Sequence, residues 1–434
     1  MLWPPGYQTM NVVVPKLFDL PYCDFGIGSI DGGLRSLSAY VASRAYGCSY
    51  CSAHCATLGT IWKGDSIFLL KNAAAMSECP SEDIFSAQEL AVINISKKLG
   101  IVPCDVNAED LRQMRNVFCA REEEAVVNAA AAVGFLNRFM DTVGMTLELE
   151  QIAVGAATLA ETGWTPGTAY DEEADAELML DDVTEAATTS GCNKCPGVLS
   201  VAQMLLGAKL ADMKALQQMP SSDKDVRRAC RETAGFVPYF LHKMEHSNAK
   251  EAFAWAFLLR LNDGTEEVPP YLKQMMCYLC ATNAGNTVLR AHYAFMAHRS
   301  GVPIQRLVGI GRREVVDHGV SAREVAAIAL AEACSTTPSN MTPTLVGLLL
   351  RQYSPAGLVE LVVTVSVAHM FHRWTSYYVP DAYEREIAQF VERYGSSLGI
   401  NPYSPAKDDQ MLWESTTSRS PDKSRVVPNV GRKQ

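Results

Sequence analysis

The sequence has no surplus of basic charge, no apolar run long enough to cross a bilayer, little strict polar and apolar alternation, and no dense, even-numbered cysteine framework. Lys and Arg number 38 against 48 Asp and Glu, a formal net charge of -10. A phosphate-binding surface needs clustered cations, so no nucleic-acid partner is expected. Nowhere do about 18 apolar residues follow one another, and Met1-Leu2-Trp3-Pro4-Pro5-Gly6 offers no charged leader before an apolar stretch. Neither secretion nor a membrane partner is expected, and the expected address is cytoplasmic. The thirteen cysteines are an odd number spread along 434 residues, unlike the paired framework of small secreted domains. Free thiols are the expectation.

What is present is helical periodicity. Leu34, Leu37 and Val41, then Val126, Ala129, Val133 and Leu136, recur at the spacing that lines one face of an α-helix. Ser86 with Glu89, and Ser321 with Glu324, have capping-box spacing: the serine accepts from the third helical amide and the glutamate reaches back to the cap. The expected fold class is all-α. A chain of this length has room for about two or three units of ordinary size.

The chain also repeats itself. Ala53-His54 matches Ala291-His292, with Gly47 falling on Gly285, and Arg138 in Phe135-Leu136-Asn137-Arg138-Phe139 matches Arg373 in Met370-Phe371-His372-Arg373-Trp374. The offset drifts only from 238 to 235 residues, so Leu34 to Glu148 and Leu272 to Asp381 read as two copies of one helical unit. The expected organisation is a first module over 20–150, an acidic solvated linker over 161–195, a second module over 196–400 and a disordered tail over 404–434. The linker is expected to carry one short helix over Glu172 to Leu180. Two copies in one chain make a tandem pseudo-dimer.

Gly47-Cys48-Ser49-Tyr50-Cys51-Ser52-Ala53-His54-Cys55 separates a helix over Leu34 to Tyr46 from one running to about Trp62. Cysteines three apart share a helix face, and thiols in a first turn sit near unsatisfied amides and the positive dipole end, which favour thiolate. His54 lies three past Cys51 on the same side and can take its proton. Cys55 is four past. One thiolate attacking a peroxide oxygen gives a sulfenic acid, which the neighbouring thiol resolves as a disulfide. The plain alternative is a chance CxxC whose thiols are buried as small hydrophobes. The glycine break and the histidine on the same face speak for chemistry.

The run from Leu34 through Cys48 and Cys51 to His54, and the later Ala131-Ala132-Val133-Gly134-Phe135-Leu136-Asn137-Arg138-Phe139-Met140-Asp141, resemble the carboxymuconolactone decarboxylase and AhpD-like alkyl hydroperoxidase superfamily, the latter segment its peroxidase-related branch. The second copy is similar over Phe236 to Asp381. The resemblance implies an all-α fold and oligomers of such modules, with homo-oligomers of this chain among them. It also implies a thiol peroxidase or disulfide reductase with no organic cofactor and no metal, its electrons coming from a thioredoxin-like or lipoyl dithiol. Carried over, Cys48 and Cys51 are the redox pair and His54 the proton relay, with Ser36, Tyr50 and Cys55 in support. The chain departs twice: Ser36 stands where the family has a Glu twelve residues before the first cysteine, and His54 is three rather than four past the second. In the second copy Asn286 and Leu289 replace the cysteines and Gln274 the Glu, so only His292 persists, as a hydrogen-bonded core residue in a degenerate module.

Two other readings use the same residues: a lactone decarboxylase working through acid and base groups without the cysteines, and a non-enzymatic helical interaction protein whose CxxC is vestigial or binds zinc. Cys192 and Cys195, in a polar turn, would complete four thiolates with Cys48 and Cys51, though structural zinc cysteines usually come from tight knuckles. They could equally relay electrons to the first pair. Cys277 and Cys280 match Ala39 and Ala42 and read as core. His242-Lys243-Met244-Glu245-His246 has the spacing of inverted zinc peptidases but reads as a solvated face. Gly309-Ile310-Gly311 lacks the strand and third glycine of a dinucleotide site.

Overall fold

The computed structural model describes residues 4–18, 30–63, 66–148, 152, 159, 162–166, 219–220, 222–264, 266–313 and 320–401. The helix expected over Glu172 to Leu180, Cys192 with Cys195, and the tail from 404 lie outside the described residues. Among the described residues every regular element is helical, as the periodicity predicts.

The first run of helices is α1 (Pro4–Leu17), α2 (Gly32–Tyr46), α3 (Ser49–Lys63), α4 (Ser66–Ala75), α5 (Ala87–Gly100), α6 (Ala108–Val117) and α7 (Ala120–Thr142). After the linker come α8 (Asp223–Ala234), α9 (Phe240–Lys243), α10 (Ser247–Trp255) and a π-helical segment over Ala256–Leu261. The last run is α11 (Pro270–Asn283), α12 (Thr287–Arg299), α13 (Ile304–Arg312), α14 (Ala322–Ala333), α15 (Pro343–Gln352), α16 (Pro355–Tyr377) and α17 (Arg385–Leu398). Both predicted capping boxes form, Ser86 with Glu89 at α5 and Ser321 with Glu324 at α14.

The six helices α2–α7 and the six helices α11–α16 follow the same order. In each run the first helix packs on the second, fourth and sixth. The sixth helices, α7 and α16, have 23 residues each, about 34 Å at 1.5 Å per residue, and pack against one another through the centre of the molecule. Helices apolar all round belong in such a place. By length and composition α16 alone among the described helices would span a membrane, but most of it is buried inside the protein, with Glu360 and Arg373 among its buried residues.

Contacts across the centre are reciprocal. Arg138 on α7 donates to Thr336 O at 2.9 Å and Ser339 Oγ at 2.7 Å, in the loop after α14. Arg373 on α16 donates to Gly100 O at 3.4 Å and Ala130 O at 3.0 Å. Gly47, at φ 91°, approaches Pro338, and Gly285, at φ 66°, approaches Pro103. The positive φ, which costs glycine nothing, lets each turn reverse direct from helix to helix.

Two expectations need correcting. Residues 1–19 lie outside the expected first module, yet α1 packs on α7, α10 and α16, with Lys16 paired to Glu251 at 2.8 Å. The beginning of the expected solvated linker is packed as well: Trp164 is buried and donates to Ser52 Oγ at 3.2 Å, while Arg44 donates to Thr162 O at 2.8 Å.

Candidate active site

α2 ends at Tyr46, and the left-handed Gly47 amide bonds back to Ser43 and Arg44 carbonyls. The chain then enters α3 with Cys48 in the N-cap position. Its Sγ accepts the amide of Cys51 at 3.3 Å, and its carbonyl accepts the amide of Ser52 at 3.0 Å. A side-chain acceptor for the third helical amide is what an N-cap supplies, and sulfur is a weaker acceptor than the oxygens usually found there. Tyr46, Cys48 and Cys51 form a small buried cluster under Tyr50, Leu136 and Met140. Both cysteines are free thiols.

Cys51 opens onto a cavity of about 170 Å³. Its walls are apolar, from Val14 and Phe18 near α1, Ala39 on α2, and Val133, Leu136 and Met140 on α7; Ser36, Tyr50, His54 and Cys55 complete the lining. The structure thus brings Cys51, His54 and all three supporting residues to one cavity, while Cys48 caps the helix behind it.

The thiolate expectation fails for Cys51. Burial, then the hydrogen bond and charge shared with Cys48, push its pKa well above the ordinary thiol value. A helix terminus contributes about 0.3–1 kcal/mol and up to about 2, whereas full desolvation can move a pKa by about 3–5 units, each worth about 1.4 kcal/mol. Burial wins. Cys55 is pushed up to about 12, again by burial first. Cys51 is held as a thiol and needs a base to react.

His54, which lines the same cavity, is paired with a carboxylate the sequence did not reveal. His54 Nε2 lies 3.0 Å from Glu148 Oε2, and the Tyr50 hydroxyl donates to Glu148 Oε1 at 3.4 Å. Tyr50 and His54, four apart on α3, have ring centroids 4.4 Å apart with their planes tilted by 51°, and share the two oxygens of one carboxylate. Burial and the Glu148 charge raise the Tyr50 pKa, so it stays a phenol and a donor. Ser36 lines the cavity but has no such link; the carboxylate comes from beyond α7 instead. The signal was there in the repeat: Glu384 stands 236 residues after Glu148, and His292 Nε2 meets Glu384 Oε2 at 2.7 Å.

The second turn keeps this architecture without sulfur. Asn286 Oδ1 caps α12 by accepting the Leu289 amide at 2.9 Å, the role Cys48 plays in α3. Gln274 bonds Asn262 and Ser300, away from His292. His292 is buried, with Nδ1 on Val288 O at 2.6 Å, among Phe236, Tyr239 and Tyr383.

The remaining motifs turn elsewhere. Cys277 is buried and Cys280 half-buried, the thiols of both raised by burial. His242 faces Arg227, whereas His246 is buried and contacts Arg121 O at 2.7 Å, so the pair does not share the solvated face expected of it. Gly309 and Gly311 lie within α13. Among the described residues no cluster of three or more His, Cys, Asp or Glu could hold a metal.

No family model matches the chain, and no curated protein matches it. Two solved structures do. Both are of the debrominase Bmp8, one without ligand and one of a cysteine-to-alanine variant in complex with 2,3,4-tribromopyrrole. Each is 21% identical and covers 39% of this chain, and 90% and 89% of the Bmp8 chain respectively, with a TM-score of 0.35. The functional reading rests on the chemistry of the site itself.

Proposed function

We propose that the chain is a thiol-dependent oxidoreductase, related to the carboxymuconolactone decarboxylase and AhpD-like superfamily, in which Cys48 and Cys51 cycle between dithiol and disulfide. One observation carries the reading: the Cys48 sulfur sits against the amide of Cys51, while Cys51 opens onto an apolar cavity that also holds the His54–Glu148 pair.

Cys51 is the sulfur a substrate meets. His54, steadied by Glu148, takes its proton as it attacks. With a hydroperoxide, Sγ accepts the terminal oxygen, the alcohol leaves with the proton, and the Cys51 sulfenic acid condenses with the Cys48 thiol to give the disulfide and water. With a disulfide substrate, Cys51 forms a mixed disulfide and releases one thiol, and Cys48 displaces the second. A thioredoxin-like or lipoyl dithiol returns two electrons and two protons. The second module, with Asn286 and Leu289 at the equivalent turn, acts as structural partner in a tandem pseudo-dimer.

The test is stopped-flow consumption of hydroperoxide, and of a small disulfide, by the reduced chain, followed by mass mapping. A burst of one equivalent with a Cys48–Cys51 disulfide is expected. Absence of both the burst and that disulfide rejects the reading. The decarboxylase reading draws on the same His54–Glu148 pair and predicts instead full turnover of a lactone acid by Cys51→Ser.

A further inference from the structure

Arg373 is fully buried at the centre of the molecule, and no carboxylate is among its hydrogen-bond partners. An uncompensated buried cation is costly, several kcal/mol per ion in typical proteins, so its neighbours matter. Nη1 and Nη2 donate to the carbonyls of Ala130 and Gly100, and Nη2 donates also to Asn137 Oδ1 at 3.0 Å. Its guanidinium lies 5.8 Å from the Tyr46 ring centroid. The groups whose negative charge would favour its cation are Cys104, Tyr46 and Cys51.

Asn137 transmits that charge in one direction. Arginine has donors only, so the oxygen of the Asn137 amide must face Arg373. Its NH2 is thereby turned the other way, where it donates to Ser43 Oγ at 2.9 Å and toward the Cys51 sulfur. Ser43, having accepted from Asn137, has its hydroxyl proton for the Cys55 sulfur. Asn137 is itself fully buried, so none of these donors is diluted by water. The chain of bonds therefore begins at a cation and ends, donor first, on two thiols that line the cavity.

The N-terminal half is built to admit this arginine. A Cβ on Gly134, one turn before Asn137 on α7, would lie 2.8 Å from Arg373 Cδ. Any larger residue there would push the guanidinium off Asn137.

We propose that Arg373, Asn137 and Ser43 are positioning residues by which the C-terminal half of the chain stabilises negative charge on Cys51, and secondarily Cys55, in the N-terminal half. The inference deepens the thiol reading of the site, for which it supplies a source of charge stabilisation that neither the CxxC motif nor the His54–Glu148 pair provides. The step concerned is deprotonation alone: Cys51 loses its proton to His54, and the donor chain strengthens as charge develops on sulfur. A hydrogen bond to a charged group contributes about 1.5–3 kcal/mol, against about 1.4 kcal/mol for each tenfold change in thiolate fraction.

The test is the rate of iodoacetamide alkylation of the reduced full chain, followed site by site by mass spectrometry from about pH 7 to pH 10. In Asn137→Leu, Cys51 is expected to alkylate about tenfold more slowly at any pH below its titration, with the whole profile displaced upward by about one unit. Gly134→Ala, which leaves every donor in place but displaces Arg373, is expected to move the profile the same way, and Arg373→Lys to move it less. Cys230, buried in α8 with its thiol raised to about 12, is the internal gauge. A loosened fold would speed alkylation of both Cys230 and Cys51, the opposite direction. Unchanged or faster Cys51 alkylation in both Asn137→Leu and Gly134→Ala overturns the inference. Because the readout needs no turnover, absence of a Cys48–Cys51 disulfide in the wild type would reject the redox reading while leaving this result standing.

Discussion

The sulfur of Cys48 accepts the amide proton of Cys51 at 3.3 Å, in the place where Asn286 Oδ1 accepts that of Leu289 at 2.9 Å. Asparagine is among the best N-caps and cysteine is not, so the first turn gives up helix stability where the second does not. Cys48→Asn is expected to stabilise the protein by about 0.5–2 kcal/mol and to abolish disulfide formation at Cys51. Thermal unfolding under reducing conditions and mass mapping after oxidation read the two effects; a lower melting temperature would contradict the capping comparison.

Glu148 holds His54 and Tyr50 together although it is 94 residues from His54 in sequence. As an exposed ion pair it contributes only about 0–1 kcal/mol to stability, so its removal should be felt in chemistry alone. Glu148→Gln is expected to slow the hydroperoxide or disulfide burst at least about tenfold, within the range of general base catalysis, with an unchanged urea midpoint. Tyr50→Phe should cost less, since it removes one donor and leaves the carboxylate on His54. An unaltered burst in Glu148→Gln would remove Glu148 from the relay.

His292 and Glu384 give a stability signature. Burial disfavours the charged imidazole, but the Glu384 carboxylate outweighs it and raises the His292 pKa above 6.5. Glu384 is lowered below 4.5, its own burial outweighed by His292. A raised histidine stabilises fully below its unfolded value and loses that contribution as pH climbs through its folded one. A lowered glutamate stabilises above its unfolded value and loses that contribution as pH falls. The pair therefore contributes most between about pH 4.5 and 6.5. Urea midpoints of the wild type and His292→Gln should differ more at about pH 5.5 than at about pH 9; an equal gap at both would disprove the coupling.

Gly100 ends α5 where α2 crosses it. A Cβ there would sit 2.5 Å from Ala45 Cβ and 2.7 Å from Ala42 O, the second a backbone atom that cannot turn aside. Gly100→Ala is expected to destabilise by about 1–3 kcal/mol through overpacking, visible as a lower urea midpoint with normal Cys48 and Cys51 chemistry after refolding. No change in midpoint would mean that α2 and α5 separate more easily than their packing implies.

The parts of this molecule legible in the sequence are those whose causes are local. Capping boxes at Ser86 and Ser321, the helix periodicity and the glycine turn before Cys48 depend on residues within a few positions of one another, and all form as expected. α1 lies outside the expected first module because its place is set by tertiary packing against α7, α10 and α16 and by no local motif. Glu148 was missed because its reach to His54 is a tertiary contact, and the resemblance placed the carboxylate at Ser36. The thiol of Cys51 departs from its helix-terminus expectation because burial is a property of the whole fold, invisible in a nine-residue motif. Arg138 and Arg373 were legible as a matched pair but not as residues that cross to the opposite half.

The two glycine turns, Gly47 and Gly285, are written at separate places in one sequence. In an assembly of identical subunits, any substitution in such a turn is made in every subunit at once, so a reactive sulfur and a good helix cap must compete for the same position. Here the competition is dissolved. The better helix cap stands at Asn286 while Cys48 keeps its sulfur.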